Sequence, residues 1–297
     1  MTRVVVLRTF TSSCVPIFSP LRRLGHEVSE ITYDLRGVDF GALPARVAEL
    51  RPDWVLLMGC ADDQPTALVP TVDVLSDIGR VFPLVHLCCD GSEPVWWPQL
   101  ERYRDSGAFA LQINVDGVRV GPIAEDGITC LCPIDPASLP DPPRPHAERT
   151  VRLGFCGSSG GDHPRTRALE SIMDVLTIRP RDHDSPAGYL DFLSSCRCAW
   201  NHAATGTGDR SHVKARVIEA ALAGALVLET AGSPTRRWFA PGEDYLEYNS
   251  ADEVREHLAW ADVRPEEAEA MALRMRRKIV ESHSPALLWD EVIRKIT

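Results

Sequence analysis

Basic residues and a glutamate recur at helical spacing in the second half of the chain, where they could bind a phosphorylated ligand. The segment His212–Ala223 has the apolar pattern of a helix, which would place His212, Arg216 and Glu219 on one face. The first turn would carry His212 and Lys214. A helix N-terminus attracts anions, so Lys214 and Arg216 beside it predict a diphosphate site, and Glu219 could accept hydrogen bonds from two ribose hydroxyls. The alternative is a solvated helix with an ion pair between Arg216 and Glu219.

A glycine-rich turn provides a second candidate for contact with phosphate. The residues Gly154–Arg165 are predicted to run from a strand through Gly157 and Ser158 into a helix that starts at Pro164. Glycines let backbone N–H groups approach an anion, and Arg165 could add a bidentate contact. The spacing is neither G-x-G-x-x-G nor that of a P-loop, so an ordinary turn between a strand and a helix is the alternative.

Two carboxylates and a histidine in the first half are the candidates for catalysis. The segment Val85–Glu93 is predicted to end a buried strand, with Asp90 and Glu93 at the carboxyl end of that strand. A carboxylate there could act as a general base towards a hydroxyl group or stabilise a positively charged centre. His86 is the third candidate. The alternatives are that His86 is a hydrogen-bonded core residue and that Asp90 caps the following helix.

The elements that must position these residues alternate between strands and helices in both halves of the chain. The clearest apolar runs are Arg3–Arg8, Asp53–Met58, Phe82–Cys89, Val151–Cys156 and Cys196–Asn201. Nearly continuous apolar strands separated by helices are typical of parallel sheets that are covered on both faces. Both halves are therefore predicted to be α/β.

A proline-rich segment separates the two halves. Six prolines fall between positions 133 and 145, a density that predicts an extended linker. We therefore predict a first domain over residues 1–132, a linker over 133–150 and a second domain over 151–297, whose last helix, 285–296, could pack back on the first domain. The expected fold is two doubly wound, Rossmann-like domains that face each other across a cleft, where ligands of such sheets bind.

Four segments of the second half occur in an order that suggests a family. The first segment, Gly154–Gly157, ends a strand and is followed by Arg165. The second, Val213–Leu228, begins V-K-A-R-V-I-E. The last two are Phe239–Tyr248 and Glu281–Ser284. Together they resemble the motifs of GT-B glycosyltransferases that have a "glycosyl transferases group 1" C-terminal domain. The resemblance covers about residues 150–297. It implies that the second domain binds a nucleotide sugar and that the first domain binds the acceptor.

The resemblance also implies roles for individual residues. By analogy, Lys214 and Arg216 contact the diphosphate of the donor, and Glu219 contacts the ribose. Gly157 and Ser158 would lie against the phosphates. These roles agree with those that the residue types and their spacing predict.

The sequence departs from the family's pattern in both domains. Related retaining enzymes often have a glutamate eight positions before the ribose glutamate, and Ser211 occupies that position here. His202, after the strand that ends at Asn201, could contact the donor's phosphate or sugar. The first domain has Thr9–Ser13 where the family often has a Gly-Gly pair. The resemblance favours retention of the anomeric configuration over inversion.

No metal ion is expected in the site. The cysteine pairs are spaced C-x-C, which differs from the C-x-x-C spacing of zinc sites. The segment Asp182–Asp184 spells D-x-D, the metal motif of the other large glycosyltransferase fold, but it falls in a polar loop inside the second domain. The sequence therefore predicts a metal-independent reaction.

Composition narrows the class of protein further. The formal net charge of the 297 residues is −10, which argues against broad binding of nucleic acid because that requires a basic surface. No run of about 18 apolar residues predicts a transmembrane helix, and the N-terminus is too short and too charged for a secretory signal. We expect a cytoplasmic protein without stable membrane insertion.

The residues and the resemblance together predict a glycosyltransferase that moves a sugar from a UDP- or GDP-type donor to a hydroxyl acceptor, without a cofactor. Only the resemblance favours retention of the anomeric configuration. Two alternatives stay open. One is a nucleotide-sugar epimerase or hydrolase with a GT-B fold. The other is a subunit that binds a nucleotide sugar without catalysis and acts as a scaffold.

Overall fold

The computed structural model describes residues 1–8, 15–32, 39–58, 70–157, 164–179 and 186–297. These residues form two compact units. The first contains residues 1–133 and 285–297, and the second contains residues 134–284.

A parallel sheet of six strands forms the centre of the first unit. The strands are β1 (Arg3–Arg8), β2 (Glu27–Thr32), β3 (Trp54–Met58), β4 (Leu84–Cys88), β5 (Leu111–Asn114) and β6 (Ile128–Thr129). Their spatial order is β2-β1-β3-β4-β5-β6. The accompanying helices are α1 (Val15–Arg23), α2 (Leu43–Glu49), α3 (Val72–Gly79) and α4 (Trp97–Asp105).

The apolar runs of the sequence become the buried strands of this sheet. Every residue of β3 and of β4 is buried, as a parallel sheet with helices on both faces requires. Helix α3 begins after Thr71, whose hydroxyl accepts a hydrogen bond from the backbone N–H of Val74 at 3.4 Å. This cap satisfies one of the N–H groups that a helix leaves unpaired at its start.

A parallel sheet of five strands forms the centre of the second unit. The strands are β7 (Val151–Cys156), β8 (Thr177–Arg179), β9 (Cys196–Trp200), β10 (Leu226–Thr230) and β11 (Leu246–Tyr248). Their spatial order is β11-β10-β9-β7-β8. The helices are α5 (Pro164–Glu170), α6 (Pro186–Ser195), α7 (Ala215–Leu222), α8 (Ala251–Val263) and α9 (Pro265–Ser282).

The last helix, α10 (Pro285–Ile296), belongs to the first unit although it follows the second unit in sequence. Trp289 anchors it, since the indole Nε1 donates a hydrogen bond to the carbonyl oxygen of Ile17 at 3.3 Å. The ring of Trp289 also lies 6.2 Å from the ring of Trp54, centroid to centroid. Burial of two large aromatic side chains stabilises the attachment of this helix.

Residues 134–150 of the proline-rich segment belong to the second unit and do not form the extended linker that the composition predicts. His146 and Arg149 are both buried. The Arg149 guanidinium donates to the carbonyl oxygens of Arg144, Cys196 and Ala223 at 2.7 to 2.9 Å. Burial lowers the pKa of Arg149 to about 10. These contacts fix the segment to the second sheet, because a buried cation keeps its charge only when its donors are satisfied.

Helix α7 begins three residues later than the sequence predicts. Lys214 is its N-cap and has an extended backbone, with φ −69° and ψ 143°. His212 lies before the helix, where its backbone N–H donates to the carbonyl oxygen of Ala203 at 3.1 Å. The prediction that His212 shares a helical face with Arg216 and Glu219 was therefore wrong.

Among the described residues, no helix is both long enough and apolar enough to cross a membrane.

Candidate functional site

A glycine and two polar residues lie at or just after the ends of three neighbouring strands of the second sheet, at one edge of that sheet. Gly157 follows β7, Asn201 follows β9, and Glu229 lies near the end of β10. The carboxyl ends of parallel strands lie at one edge of a sheet, which is where ligands of α/β folds bind. Helix α7 supplies Arg216 to the same edge.

The Arg216 side chain is held in place by the ends of two strands. Its Nε donates to the carbonyl oxygen of Cys156 at 2.6 Å, and its Nη1 donates to Asn201 Oδ1 at 3.3 Å. The guanidinium carbon lies 4.4 Å from the centroid of the Phe155 ring. A guanidinium carries five N–H groups, so donors beyond these two can bind an anion in a fixed geometry.

Gly157 permits this position of Arg216. A Cβ atom at residue 157 would lie 2.5 Å from Arg216 Nη2, closer than van der Waals contact allows. The backbone φ of Gly157 is 155°. Any larger residue would displace the guanidinium, so the glycine of this turn is required for the arginine as well as for the approach of a ligand.

Behind Arg216 lies a fully buried carboxylate that the sequence analysis missed. Asn201 Nδ2 donates to Glu229 Oε2 at 2.7 Å, and the Thr235 hydroxyl donates to the same oxygen at 3.2 Å. The backbone N–H of Thr230 donates to Glu229 Oε1 at 2.7 Å. Burial raises the pKa of Glu229 to about 7, and the three hydrogen bonds and the charge of Arg216 oppose this rise.

Glu219, the predicted ribose ligand, is hydrogen bonded to a tyrosine of another helix. The Tyr189 hydroxyl on α6 donates to Glu219 Oε2. Burial and the nearby charge of Glu219 raise the pKa of Tyr189 well above its usual value, so the hydroxyl stays a donor. This contact fixes the carboxylate, which as an anion has about four acceptor sites and can still accept hydrogen bonds from a diol. Tyr189 was not among the predicted site residues.

Lys214 and His212 differ in the charge that they can offer an anion. Lys214 is the half-buried N-cap residue of α7. His212 is buried, and the pKa of its imidazole is lowered to about 3 by burial and by the positive charge of Lys214. A neutral His212 adds no positive charge at neutral pH, so the cations at this helix terminus are Lys214 and Arg216.

Two further predicted donor contacts lie close to the same strand ends. The Arg165 guanidinium carbon lies 5.8 Å from the centroid of the Phe155 ring, which also contacts Arg216. His202 Nδ1 accepts a hydrogen bond from the backbone N–H of Ala204 at 3.3 Å. The imidazole lies 5.9 Å from the Trp200 ring, centroid to centroid.

His202 also lines a pocket at the ends of β9 and β10. The pocket has a volume of about 250 Å³, and its wall includes Arg210, Ser211, Thr230 and Ser233. The wall combines these polar side chains with the apolar side chains of Ala203, Ala204 and Ala231.

In the first unit, a buried carboxylate shapes the turn that carries the predicted catalytic residue Asp90. Asp116 Oδ1 accepts from the backbone N–H of Asp90 at 3.0 Å, and Oδ2 accepts from the N–H of Ser92 at 2.7 Å. These bonds hold exposed Asp90 in the left-handed region, with φ 63°. Burial, and to a smaller extent the charge of Asp90, raises the pKa of Asp116 to about 6. A non-glycine residue with positive φ is uncommon and often marks a functional turn.

The structure separates the other two catalytic candidates. Glu93 is half-buried in the same turn, and its backbone N–H donates to the carbonyl oxygen of Asp90 at 3.0 Å. His86 is completely buried, and its ring packs against Tyr103 at 5.1 Å and Phe109 at 5.3 Å, centroid to centroid. A general base must reach a substrate proton, so the structure assigns His86 to the core and corrects the catalytic prediction.

Several predicted residues lie outside the described part of the chain. They are Ser158 of the glycine-rich turn, the D-x-D segment Asp182–Asp184 and the segment Thr9–Ser13.

Residues 149–294 match the protein-family model described as glycosyl transferase-like. The matched segment contains β7 to β11 and all of the second-unit residues discussed above. None of the curated proteins compared with the sequence matches it.

Solved structures resemble the whole chain in fold. An α-glucosyltransferase in complex with UDP and a mismatched DNA has a TM-score of 0.74 at 9% identity, over 100% of both chains. The Anabaena protein HepE in complex with UDP and glucose has a TM-score of 0.61 at 12% identity, over 99% of both chains. A sucrose-phosphate synthase from Thermosynechococcus elongatus has a TM-score of 0.62 at 12% identity, again over 99% of both chains. At these identities the likeness shows a shared fold.

Proposed function

We propose a specific activity for this chain, whose residues 149–294 match the glycosyl transferase-like family model and whose two parallel sheets have the GT-B fold. The activity is transfer of a sugar from a nucleoside diphosphate sugar to a hydroxyl acceptor. The observation that carries the proposal is the fixed guanidinium of Arg216 at the edge of the second sheet, next to the N-terminus of α7.

The donor diphosphate would bind at this helix terminus. Backbone N–H groups and the helix dipole favour a negative charge there, and Lys214 and Arg216 supply two cations. When the bond between the sugar and the phosphate breaks, negative charge grows on the leaving diphosphate. Cations fixed beforehand stabilise that charge more than they stabilise the intact donor, which is the condition for catalysis. Because side chains can supply this positive charge, we propose that the transfer needs no metal ion.

The ribose would bind Glu219. The carboxylate can accept hydrogen bonds from both ribose hydroxyls while Tyr189 holds one of its oxygens. The solved structures of this fold that contain UDP favour uridine as the first base to test, with guanine as the alternative.

The acceptor would bind the first unit. Asp90 projects from a turn held by Asp116 at the carboxyl end of β4, where α/β sheets bind ligands. We propose Asp90, with Glu93 in the same turn, as the carboxylate that activates the acceptor hydroxyl. The family resemblance of the second unit favours retention of the anomeric configuration, which an NMR spectrum of the product would determine.

A thermal-shift panel tests the donor proposal. The ligands are UDP, GDP, ADP, TDP and CMP, each with and without EDTA, on the wild type, on Glu219→Gln and on the control Glu267→Gln. Glu267 is an exposed residue of α9 that pairs with Arg264. A ligand at 100 times its dissociation constant stabilises a protein by about 2.7 kcal/mol.

We expect one nucleoside diphosphate to raise the melting temperature of the wild type and of Glu267→Gln, equally with and without EDTA. Glu219→Gln should lose most of this shift because a carboxamide accepts fewer hydrogen bonds from a diol. If no nucleotide changes the melting temperature, the proposal is wrong. Binding without sugar transfer to any acceptor would instead indicate a scaffold role, and consumption of the donor without an acceptor would indicate a hydrolase or epimerase.

A further inference from the structure

A chain of hydrogen bonds connects the buried carboxylate of Glu229 to the guanidinium of Arg216. Asn201 is the intermediate, since its Nδ2 donates to Glu229 Oε2 at 2.7 Å and its Oδ1 accepts from Arg216 Nη1 at 3.3 Å. The amide can make both bonds in only one orientation. The carboxylate therefore sets the orientation of Asn201, and Asn201 sets the position of Arg216.

Burial of ionised Glu229 costs free energy unless hydrogen-bond donors and a nearby cation compensate the lost hydration. The residue is completely buried, and an ionised carboxylate loses its hydration there. Three donors compensate it, from Asn201, Thr235 and the backbone of Thr230. The positive charge of Arg216 favours the ionised form as well.

We propose that Glu229 and Asn201 are positioning residues for the donor diphosphate, and that Glu229 takes up a proton from the solvent when the diphosphate binds to Arg216. The inference rests on the proposed function. The diphosphate neutralises the Arg216 cation, which stabilises ionised Glu229, and brings negative charge towards the carboxylate. Both effects favour the protonated carboxyl. The carboxyl can keep accepting from Asn201 after it takes up the proton, so the orientation of the amide is preserved.

The groups that face Glu229 support this assignment. Arg216 faces it from α7. Tyr248 faces it from β11, and Tyr245 faces it from the turn before that strand. Burial raises the pKa of both tyrosines above their usual value, so they stay neutral near pH 7. The pKa of Glu229, about 7, places its titration in the range where uptake of a proton is measurable.

Isothermal titration calorimetry tests the inference on the full chain. UDP is titrated into the wild type, Glu229→Gln and the control Glu247→Gln at pH 7, in buffers that differ in their enthalpy of ionisation. Glu247 is a matched control because it is a partly buried glutamate on β11 that bonds to Tyr245 and Arg236. The dependence of the measured heat on the buffer gives the number of protons taken up, and any proton from UDP itself is common to all three proteins.

On binding UDP, the wild type and Glu247→Gln should each take up as much as about half a proton more than Glu229→Gln does. From pH 6 to pH 8.5, UDP affinity relative to Glu229→Gln should fall several-fold in the wild type. Glutamine mimics the protonated carboxyl, so Glu229→Gln should match the wild type at low pH. If Glu229 only supported the fold, Glu229→Gln would not regain the UDP affinity of the wild type at low pH.

A second variant keeps the test decisive if Glu229→Gln folds poorly. Thr235→Val keeps the shape of the side chain and removes one donor to Glu229 Oε2, which should raise the pKa of Glu229 and move the fall in affinity to higher pH. Equal proton uptake and equal pH profiles in wild type and variants would overturn the inference while leaving the donor site intact. If the wild type binds none of UDP, GDP, ADP and TDP, the proposed function fails and the inference fails with it.

Discussion

Both units place a buried carboxylate at the carboxyl edge of a parallel sheet, but the two carboxylates contact different kinds of group. Asp116 in the first unit accepts from the backbone N–H groups of Asp90 and Ser92 and lies near the charge of Asp90. Glu229 in the second unit accepts from two side chains and one backbone N–H, and the Asn201 amide connects it to the cation of Arg216. One shapes a turn that presents a negative charge, and the other supports a positive charge.

Under the proposed function, this difference lets one architecture bind two kinds of ligand. The edge of the second sheet combines Arg216 with Lys214 and the N-terminus of α7, which suits an anion. The turn after β4 offers Asp90 and Glu93, which suit a hydroxyl that must lose a proton. The strands supply the same scaffold in both units, and the residues after the strands determine the chemistry.

The largest expected effect is on the pH dependence of the free energy of unfolding, where the two carboxylates differ in the pH range over which they act. Each has a pKa in the folded protein that is higher than in the unfolded chain, about 6 against 3.8 for Asp116 and about 7 against 4.5 for Glu229. The folded state then binds more protons, so the stability that each contributes is complete below the unfolded pKa and is lost as pH rises through the folded pKa. The loss is roughly 3 kcal/mol for each group.

Urea unfolding as a function of pH checks this prediction. Asp116→Asn should remove the decline between about pH 4 and pH 6, and Glu229→Gln should remove the decline between about pH 4.5 and pH 7. Parallel pH profiles for wild type and both variants would contradict the raised pKa values.

The next effect tests the anion site alone. Arg216→Ala should lower the affinity for a nucleoside diphosphate roughly 10- to 100-fold, because charge-assisted hydrogen bonds contribute about 1.5–3 kcal/mol. Arg216→Lys should be intermediate, since it keeps the charge and loses the planar fork that bonds Cys156 and Asn201. Affinity is measured by calorimetry at a temperature where both variants remain folded. Equal affinity of wild type and Arg216→Ala would remove Arg216 from the site.

A third prediction tests the first unit in the same way. Asp116→Asn leaves one of the two N–H groups that Asp116 binds without an acceptor, so at about pH 4, below the decline described above, it should lower the free energy of unfolding by about 1–3 kcal/mol. The rate of sugar transfer should also fall because Asp90 loses its fixed turn. Nucleotide affinity should stay within twofold of wild type, and a larger loss would show that the two carboxylates do not act separately.

The smallest effect concerns the partner of Glu219. Tyr189→Phe removes the hydroxyl that donates to Glu219 Oε2, and a typical hydrogen bond contributes about 1 kcal/mol. We expect donor affinity to fall about fivefold with no change for inorganic pyrophosphate, which has no ribose. If pyrophosphate affinity falls equally, Tyr189 acts on the diphosphate site and not on the ribose contact.

The sequence was most informative where structure depends on local patterns. The strands Arg3–Arg8 and Val151–Cys156 have the predicted bounds, because their apolar runs end at clear turn signals. Strands β6, β8 and β11 were missed because each has only two or three residues. The α/β architecture followed from apolar runs alone, and comparison with GT-B structures confirms it.

The site was predicted less completely because its contacts join distant parts of the chain. Lys214, Arg216 and Glu219 share one short segment, so spacing and family resemblance could point to them together. Tyr189 bonds Glu219 across 30 positions, and Asn201 bonds Glu229 across 28 positions. Such pairs depend on the order of strands in the sheet, which a single sequence does not specify. A glutamate at the end of an apolar strand was the one signal that could have identified Glu229.

We propose that the edge of the second sheet binds a donor diphosphate through side-chain cations, without a metal ion. The most direct test is calorimetric titration of UDP, in the presence of EDTA, into wild type, Lys214→Ala and Lys295→Ala, where Lys295 is an exposed lysine of α10 that controls for charge. We expect saturable binding at one site in wild type and Lys295→Ala, and an affinity at least tenfold lower in Lys214→Ala. Equal affinity in all three proteins, or binding only after Mg²⁺ replaces EDTA, would contradict it.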